Sequence, residues 1–582
     1  MTQLCKGWNT WNTNSVLSHV LLPYGLSINI GIKDYATGRV IRQCLIGQLE
    51  DEGGSVHPGI RSYDGSYTEL TVFWRDFSFF IQTAAKENQQ YILISPVKTG
   101  VKAPAVFVEA GILWNHNGYV VKNGDSLKAV FDNETINIFV TGKRVEEPQV
   151  YAYGPYISVT SDQQIGISTG CQRSVEEITQ IICHAKKDLL ESAQKYGSLA
   201  DTYNAMKCCL AWDTIYEPLH KQVCSPVSRI WNLSWGGYVL FCWDTFFAAE
   251  MISLENKELA YANVFAILNE MTQDGFVPNV GAATGFKSLD RSQPPVGSMV
   301  VWDIYQRYHE KSFVRECYPK LCTWNQWFYR NRMYKDGTLC WGSNPYTGTV
   351  GNEWESVGVN DRYGAALESG LDNSPMYDDI PFNQETHMLA LSDVGLTSRY
   401  INDCKYLIKL GDELGEDTTD LKVRLDKAKN GLQTLWCEEF GLFLNKRTDT
   451  GEFSYRISPT NFYALFSDSV TAEQAKRSIK EHFYNPEEFW GDYILPSIAR
   501  SDPAYPEQTY WRGRIWAPMN YLVYQAFAAA GQWEACRDLA EKSRELLMKE
   551  WKLHGHVHEN YCADTGMGCG VPNSDKFYHW GG

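Results

Sequence analysis

Leu26-Ser-Ile-Asn-Ile-Gly-Ile32 sets an apolar side chain at every second position, the grammar of a strand with one face buried. Leu70-Thr-Val-Phe-Trp74, Tyr91-Ile-Leu-Ile94, Ala105-Val-Phe-Val108 and Ile136-Asn-Ile-Phe-Val140 repeat it, with turn signals at Asn123-Gly124 and Asp132-Asn133 between runs. So many short strands between about residues 24 and 170 predict a β-sandwich over 1–174. After Ser174 the apolar spacing becomes helical. Segments are expected at 176–196, 199–216, 243–254, 257–272, 296–309, 312–333, 383–396, 398–413, 418–438, 459–481, 514–531 and 533–552. They form successive hairpins, with Gly395, Gly411 and Gly531 near helix ends, and no fixed-period repeat accompanies them. A closed double ring of helices, the (α/α)6 barrel, over 175–582 follows as the expected architecture.

Longer connections alternate with short ones, at 218–242, 273–295, 334–382, 485–513 and 553–582. In a ring of hairpins alternate connections share one end, so these would converge on one mouth. Two of them carry Glu368-Ser-Gly-Leu-Asp372-Asn-Ser-Pro375 and His558-Glu559-Asn-Tyr561. The Asn, Ser and Pro after Asp372 stop a helix and place its carboxyl on a loop. Two carboxylates from distant loops suit glycoside hydrolysis, where one protonates the leaving oxygen and the other works on the opposite face of the sugar. Ordinary loop acids that cap helices or face water would look the same at this stage.

A chain of 582 residues is long enough for a large core, and its net charge of -16 argues against nucleic acid or an anionic membrane as partner. Neither a secretory signal nor a membrane-length apolar run is legible, and the 16 Cys show no zinc-site spacing. A cytoplasmic protein with reduced thiols is expected. No cofactor is called for, although scattered loop acids leave room for a structural Ca2+. Aromatic residues make up 14% of the chain, including 20 Trp and 34 Tyr. Core packing accounts for most, but Trp231, Trp235 and Tyr510-Trp511 lie in the long connections and Trp243 at the edge of one, where flat rings could meet a pyranose.

Cys242-Trp-Asp-Thr245, Gly275-Phe-Val-Pro-Asn279, Arg291-Ser-Gln-Pro-Pro295, the Asp372 motif, Tyr510-Trp-Arg-Gly-Arg-Ile-Trp516, His558-Glu-Asn-Tyr561 and Phe577-Tyr-His-Trp-Gly-Gly582 come in that order. As an ordered set, over roughly residues 200–582, they resemble glycoside hydrolase family 63 and its bacterial mannosylglycerate and glucosylglycerate hydrolases, and more distantly the trehalases. The resemblance implies that Asp372 is the general acid and Glu559 the general base of an inverting mechanism, with carboxyls roughly 6.5–9.5 Å apart. It also implies sugar contacts from Trp243, Asp244 and Gln293. Asp244 could equally cap a helix beginning near Thr245. Gly370, Tyr510, Trp511, Arg512 and Trp516 complete the expected binding set, with the alternative that Trp516 and Arg514 begin the helix from 514 as packing residues. Arg291 reads either as a substrate contact or as the partner of a nearby carboxylate. His554, His556 and His558 alternate as a metal-binding strand would, but His558 is expected to order the loop of the base.

The N-terminal β region and an extension over 341–367, with Asn352-Glu-Trp-Glu355, depart from the small relatives. No basic residue stands out for a glycerate carboxylate. The expectation is therefore an inverting exo-acting α-glycosidase, first an α-glucosidase, acting on a short glycoside. A trehalase-like or mannosyl-specific hydrolase, a phosphorylase or epimerase on the same barrel, and a carbohydrate-binding protein without turnover are the alternatives.

Overall fold

The computed structural model describes residues 4–49, 51, 54–145, 152–346, 358–568, 570–571 and 574–581; the Asn352–Glu355 part of the extension lies outside them. Two antiparallel sheets form the N-terminal domain. One runs Gly7–Asn9, Ser18–Leu22, Leu26–Lys33, Ala105–Ile112, Tyr156–Thr160 in spatial order, with Val40–Ile41 also paired to Leu26–Lys33. The other runs Tyr119–Asn123, Ser126–Val130, Thr135–Val140, Ile165–Thr169, Gln89–Thr99, Phe77–Lys86, Tyr67–Trp74, Gly54–Arg61. Alternation sends Ile28, Ile30 and Ile32 of one sheet and Val72, Ile92 and Ile138 of the other into a shared core. Both sequence-predicted turns are present, Asn123 pairing with Ser126 and Val130 with Thr135.

The helices are α1 Val175–Ala193, α2 Ala200–Asp213, α3 Arg229–Trp235, α4 Cys242–Ile252, α5 Lys257–Asn269, α6 Gly297–Tyr308, α7 Lys311–Asn331, α8 Arg362–Glu368, α9 Val394–Leu414, α10 Thr419–Gln433, α11 Ala472–Arg477, α12 Ala517–Ala529 and α13 Trp533–His554. An inner ring passes from α2 to α4, α6, α9, the 3-10 helix Pro459–Phe466 and α12, and the turn His579–Gly581 closes it against α12 and α2. Outside it α5 packs on α4, α7 on α6 and α9, α10 on α9, and α13 on α12. This is the (α/α)6 arrangement after a β-sandwich. Inner helices are apolar on nearly every side, as α4 shows by burying all its residues but Met251, because each has neighbours all round.

Several expected boundaries moved. No helix occupies 383–393: Asn383 Oδ1 accepts from the amides of Glu385 and Thr386, turning the chain between Phe382–Asn383 and Met388–Leu389. Asp393 then caps α9 through Leu396 N at 2.7 Å. The 459–481 helix is broken, since Pro459 opens a 3-10 turn that ends at Ser467 before α11 starts. Helices α3 and α8 went unforeseen, each only two turns and capped by Ser228 and Asp361. Nor does α1 simply head the barrel. Its stripe Ile178, Ile182, Leu189 covers Tyr67, Tyr91 and Leu93 on the outer face of the second sheet.

Sandwich and barrel are joined through buried polar groups. The Arg229 guanidinium donates to the carbonyls of Thr10 and Asn12 before the first long strand and of Trp212 and Thr214 at the end of α2. Trp212 Nε1 donates to Gly59 O at 3.0 Å, and Arg61 lies over the Trp212 ring. Arg229→Ala would strand those carbonyls and should cost roughly 3 kcal/mol or more. Chemical denaturation checks this; an unchanged midpoint would refute it.

Candidate active site

A cavity of about 530 Å³ opens at the end of the ring where the long connections meet. Its lining changes with depth. Trp243, Asp244, Gln293, Trp511, Glu559, Tyr578 and Trp580 are buried, whereas Trp231, Trp235, Phe241, Tyr363 and Asp372 are half-buried. The first group is the floor and the second the rim.

Asp372 stands on a loop, as its Asn-Ser-Pro sequel predicts. Helix α8 ends at Glu368, and Gly370 at φ +72° turns the chain out of it. A Cβ on Gly370 would lie 2.6 Å from Trp243 Cζ2, so glycine is required both for its backbone and for that close approach. Beyond it Asn373 Oδ1 accepts from Trp511 N at 2.8 Å, and Ser374 caps the short turn Pro375–Tyr377. Arg512 secures the same loop, donating to Asn373 O at 3.2 Å and to both Asp378 oxygens, while its other edge pairs with Glu507. Its guanidinium thus holds the loop and does not line the cavity.

Glu559 is held from two sides. Tyr510 Oη donates to its Oε1 at 3.0 Å and Asp575 N to its Oε2 at 2.7 Å. Burial pushes its pKa well above the ordinary carboxylate range; the two donors oppose this, and the charges of Asp575 and Asp372 add to it. Asp575 itself is pushed up to about 6 by burial, while Ser228 Oγ donates to it at 2.6 Å. The neighbouring His558 pairs with Glu550 of α13 at 2.9 Å and so fixes the loop to a helix. Among the described residues no group of three or more His, Cys, Asp or Glu is arranged to hold a metal, the three alternating histidines included.

Asp244 belongs to the first turn of α4 and is not its cap, since that helix begins at Cys242. Tyr578 Oη donates to Asp244 Oδ1 at 2.9 Å, yet burial, helped by Asp372, pushes the carboxyl up to about 8. Gln293 Oε1 accepts from Trp243 N at 3.2 Å, which aims its amide at the floor. Trp511 stacks on Trp516 at 3.6 Å and stands near Trp243 at 6.3 Å; Trp580 meets all three edge-on. Trp516 therefore backs the lining from behind. Arg291 pairs with Asp290 at 3.0 Å, fully buried, which favours the structural alternative for it.

The sequence-predicted residues Asp372, Glu559, Trp243, Asp244, Gln293, Gly370, Tyr510 and Trp511 thus meet in one cavity, with Arg512 and Trp516 just outside it. Tyr578 and Trp580 went unassigned although their motif was legible, as did Asn279. Tyr363, Leu367 and Asp575 carried no signal, because only folding brings them to the other loops.

Residues 237–580 match the family described as the mannosylglycerate hydrolase MGH1-like glycoside hydrolase domain. The chain belongs to this family. It is a glycoside hydrolase, an enzyme that hydrolyses glycosidic bonds. The mannosylglycerate hydrolase MGH1 of Selaginella moellendorffii is 23% identical over 388 residues, covering 56% of this chain and 76% of the relative. The mannosyl-oligosaccharide glucosidase of Saccharomyces cerevisiae is 22% identical over 301 residues, 46% of this chain and 34% of that one. The crystal structure of the family 63 mannosylglycerate hydrolase from Thermus thermophilus in complex with glucose aligns with a TM-score of 0.49 and 21% identity, covering 59% of this chain and 91% of that one. No helix among the described residues is long and apolar enough to cross a membrane.

Asp244 gives a titration with a defined sign. Between its ordinary 3.8 and about 8 the unfolded chain has released a proton that the folded chain keeps, so its contribution to stability falls as pH rises through that window. Asp244→Asn should flatten this fall and raise Tm near neutral pH, since an amide can still accept from Tyr578. Thermal unfolding from about pH 5 to 8 tests it; an equally steep loss in the variant would contradict the burial of the acid.

Proposed function

We propose that this enzyme is an inverting, exo-acting α-glycosidase, an α-glucosidase in the first instance, with Asp372 as general acid and Glu559 as general base. The observation that carries this is the depth difference between the two acids in one cavity. Glu559 is 4% exposed at the floor, and Asp372 is half-buried toward the rim. A terminal sugar on the floor would turn its glycosidic oxygen outward to Asp372 and the opposite face of its anomeric carbon inward, to a water beside Glu559.

The surroundings suit each task. A base in the inverting mechanism takes a proton from water as the bond to the leaving group breaks, and a raised pKa makes the ionised Glu559 a stronger proton acceptor. Tyr510 Oη and Asp575 N hold the carboxylate in one orientation meanwhile. Trp243 and Trp511 offer ring faces to the sugar, and Asp244 and Gln293 offer polar groups to its hydroxyls. A cavity of about 530 Å³ with a buried floor suits a terminal sugar, which favours attack at a chain end.

Asp372→Asn and Glu559→Gln should each lower kcat on α-glucosides by about 10²–10⁴-fold with Tm not lowered. Near-wild-type turnover in either variant would remove that residue from its role. Separately, proton NMR of fresh product from an α-glucoside should show the β anomer before mutarotation. Initial α product would exclude inversion, and faster cleavage of α-mannosides in the same assay would replace glucose as the preferred sugar.

A further inference from the structure

The rim has a chemistry of its own. Trp231 and Trp235 lie one turn apart on α3 with ring centroids 6.2 Å apart, and Trp231 packs edge-to-face on Phe241 at 5.5 Å. Tyr363 of α8 lines the same cavity, and all four rings are half-buried. The acids and bases lining the cavity among the described residues, tyrosines aside, are the carboxyls Asp244, Asp372 and Glu559; Lys, Arg and His are absent from that lining. The guanidinium groups next in sequence to lining residues are committed elsewhere. Arg362 donates to the carbonyls of Tyr377 and Asp378, and Arg512 is held by Glu507 and Asp378.

We propose that the leaving-group half of this site takes an uncharged ring, a second pyranose or an aromatic alcohol, and discriminates against an aglycone bearing a carboxylate such as glycerate. This rests on the reading in which Asp372 protonates the glycosidic oxygen on the rim side. An anionic aglycone would leave water for aromatic walls with no cation among the described lining residues to receive it and with Asp372 beside it, a desolvation cost that those walls do not offset. A flat ring replaces water on the faces of Trp231 and Trp235, and its uncharged hydroxyls can keep their hydration at the open end. The rim thereby selects the substrate class.

The test uses the wild-type protein and α-glucosides of one sugar with five aglycones: methanol, glycerol, glycerate, phenol and glucose. Ring-bearing substrates should exceed the methyl glucoside in kcat/KM by about tenfold, and the glycerol conjugate should exceed the glycerate conjugate by at least as much. Trp235→Ala should cost the phenyl and disaccharide substrates about tenfold more than it costs the methyl glucoside. A glycerate conjugate cleaved as well as its glycerol counterpart would overturn the proposal, as would a Trp235→Ala loss equal on all substrates. The phenyl and glucose arms separate the two ring sources. S-linked analogues, titrated by calorimetry, read the same order without turnover. If they bind in that order while no O-linked substrate is cleaved, the acid and base assignment fails and the rim preference stands; if substrates are cleaved but the order is absent, the reverse holds.

Discussion

The buried ion pair between Arg332 and Glu368 holds the mouth of the barrel together. Arg332 donates from Nε to Oε2 at 2.6 Å and from Nη2 to Oε1 at 3.0 Å, and neither side chain reaches solvent. The remaining acceptor capacity of Glu368 goes to Ser292 N at 3.0 Å and Gly342 N at 2.7 Å. Arg332 adds Asn344 Oδ1 at 2.9 Å and the Trp327 ring. One carboxylate therefore ties the end of α7, the end of α8 and the connections before α6 and after α7. Such a pair repays its desolvation only when every donor and acceptor is used, and its value here is in fixing geometry more than in net stability. Asp372 lies four residues beyond Glu368 and Gln293 one residue beyond Ser292, so both inherit their positions from it.

Around that anchor the site is assembled by contacts between loops. Asn373 joins the Asp372 loop to Trp511, Tyr510 joins that loop to Glu559, and Tyr578 joins the C-terminal turn to Asp244. Tyr510 adopts φ +53°, a conformation unfavourable for a side chain of its size, in the segment that aims its hydroxyl at Glu559. The same C-terminal turn closes the inner ring, so barrel closure and site completion are one event. Each catalytic candidate rests on a residue that another loop supplies.

The sandwich enters this arrangement indirectly. Through Arg229 it grips the last turn of α2 and the start of α3, the helix that carries Trp231 and Trp235 to the rim. Ser228, which caps α3, also donates to Asp575, whose amide holds Glu559. A continuous run of buried hydrogen bonds thus leads from the N-terminal strands to the floor of the cavity. The domain is a buttress for two loops of the site, which gives the additional β region a physical task.

Local chemistry decided much of this protein from its sequence alone. Period-two alternation fixed the strands, period 3.6 most of the helices, and Asn-Ser-Pro after Asp372 its place on a loop, because each depends on neighbours within a few residues. Where local signals were weak or short, the sequence misplaced structure: α3 and α8 are too brief for periodicity, and Asn383 makes a turn where composition favoured a helix, which starts only at its cap Asp393. Only the tertiary structure decided that Glu368 is an ion-pair hub, that Asp575 holds Glu559, that Arg512 braces a loop and that the rim, among the described residues, is aromatic without a cation. Those facts are contacts between residues tens to hundreds of positions apart, and only the closing of the ring creates them.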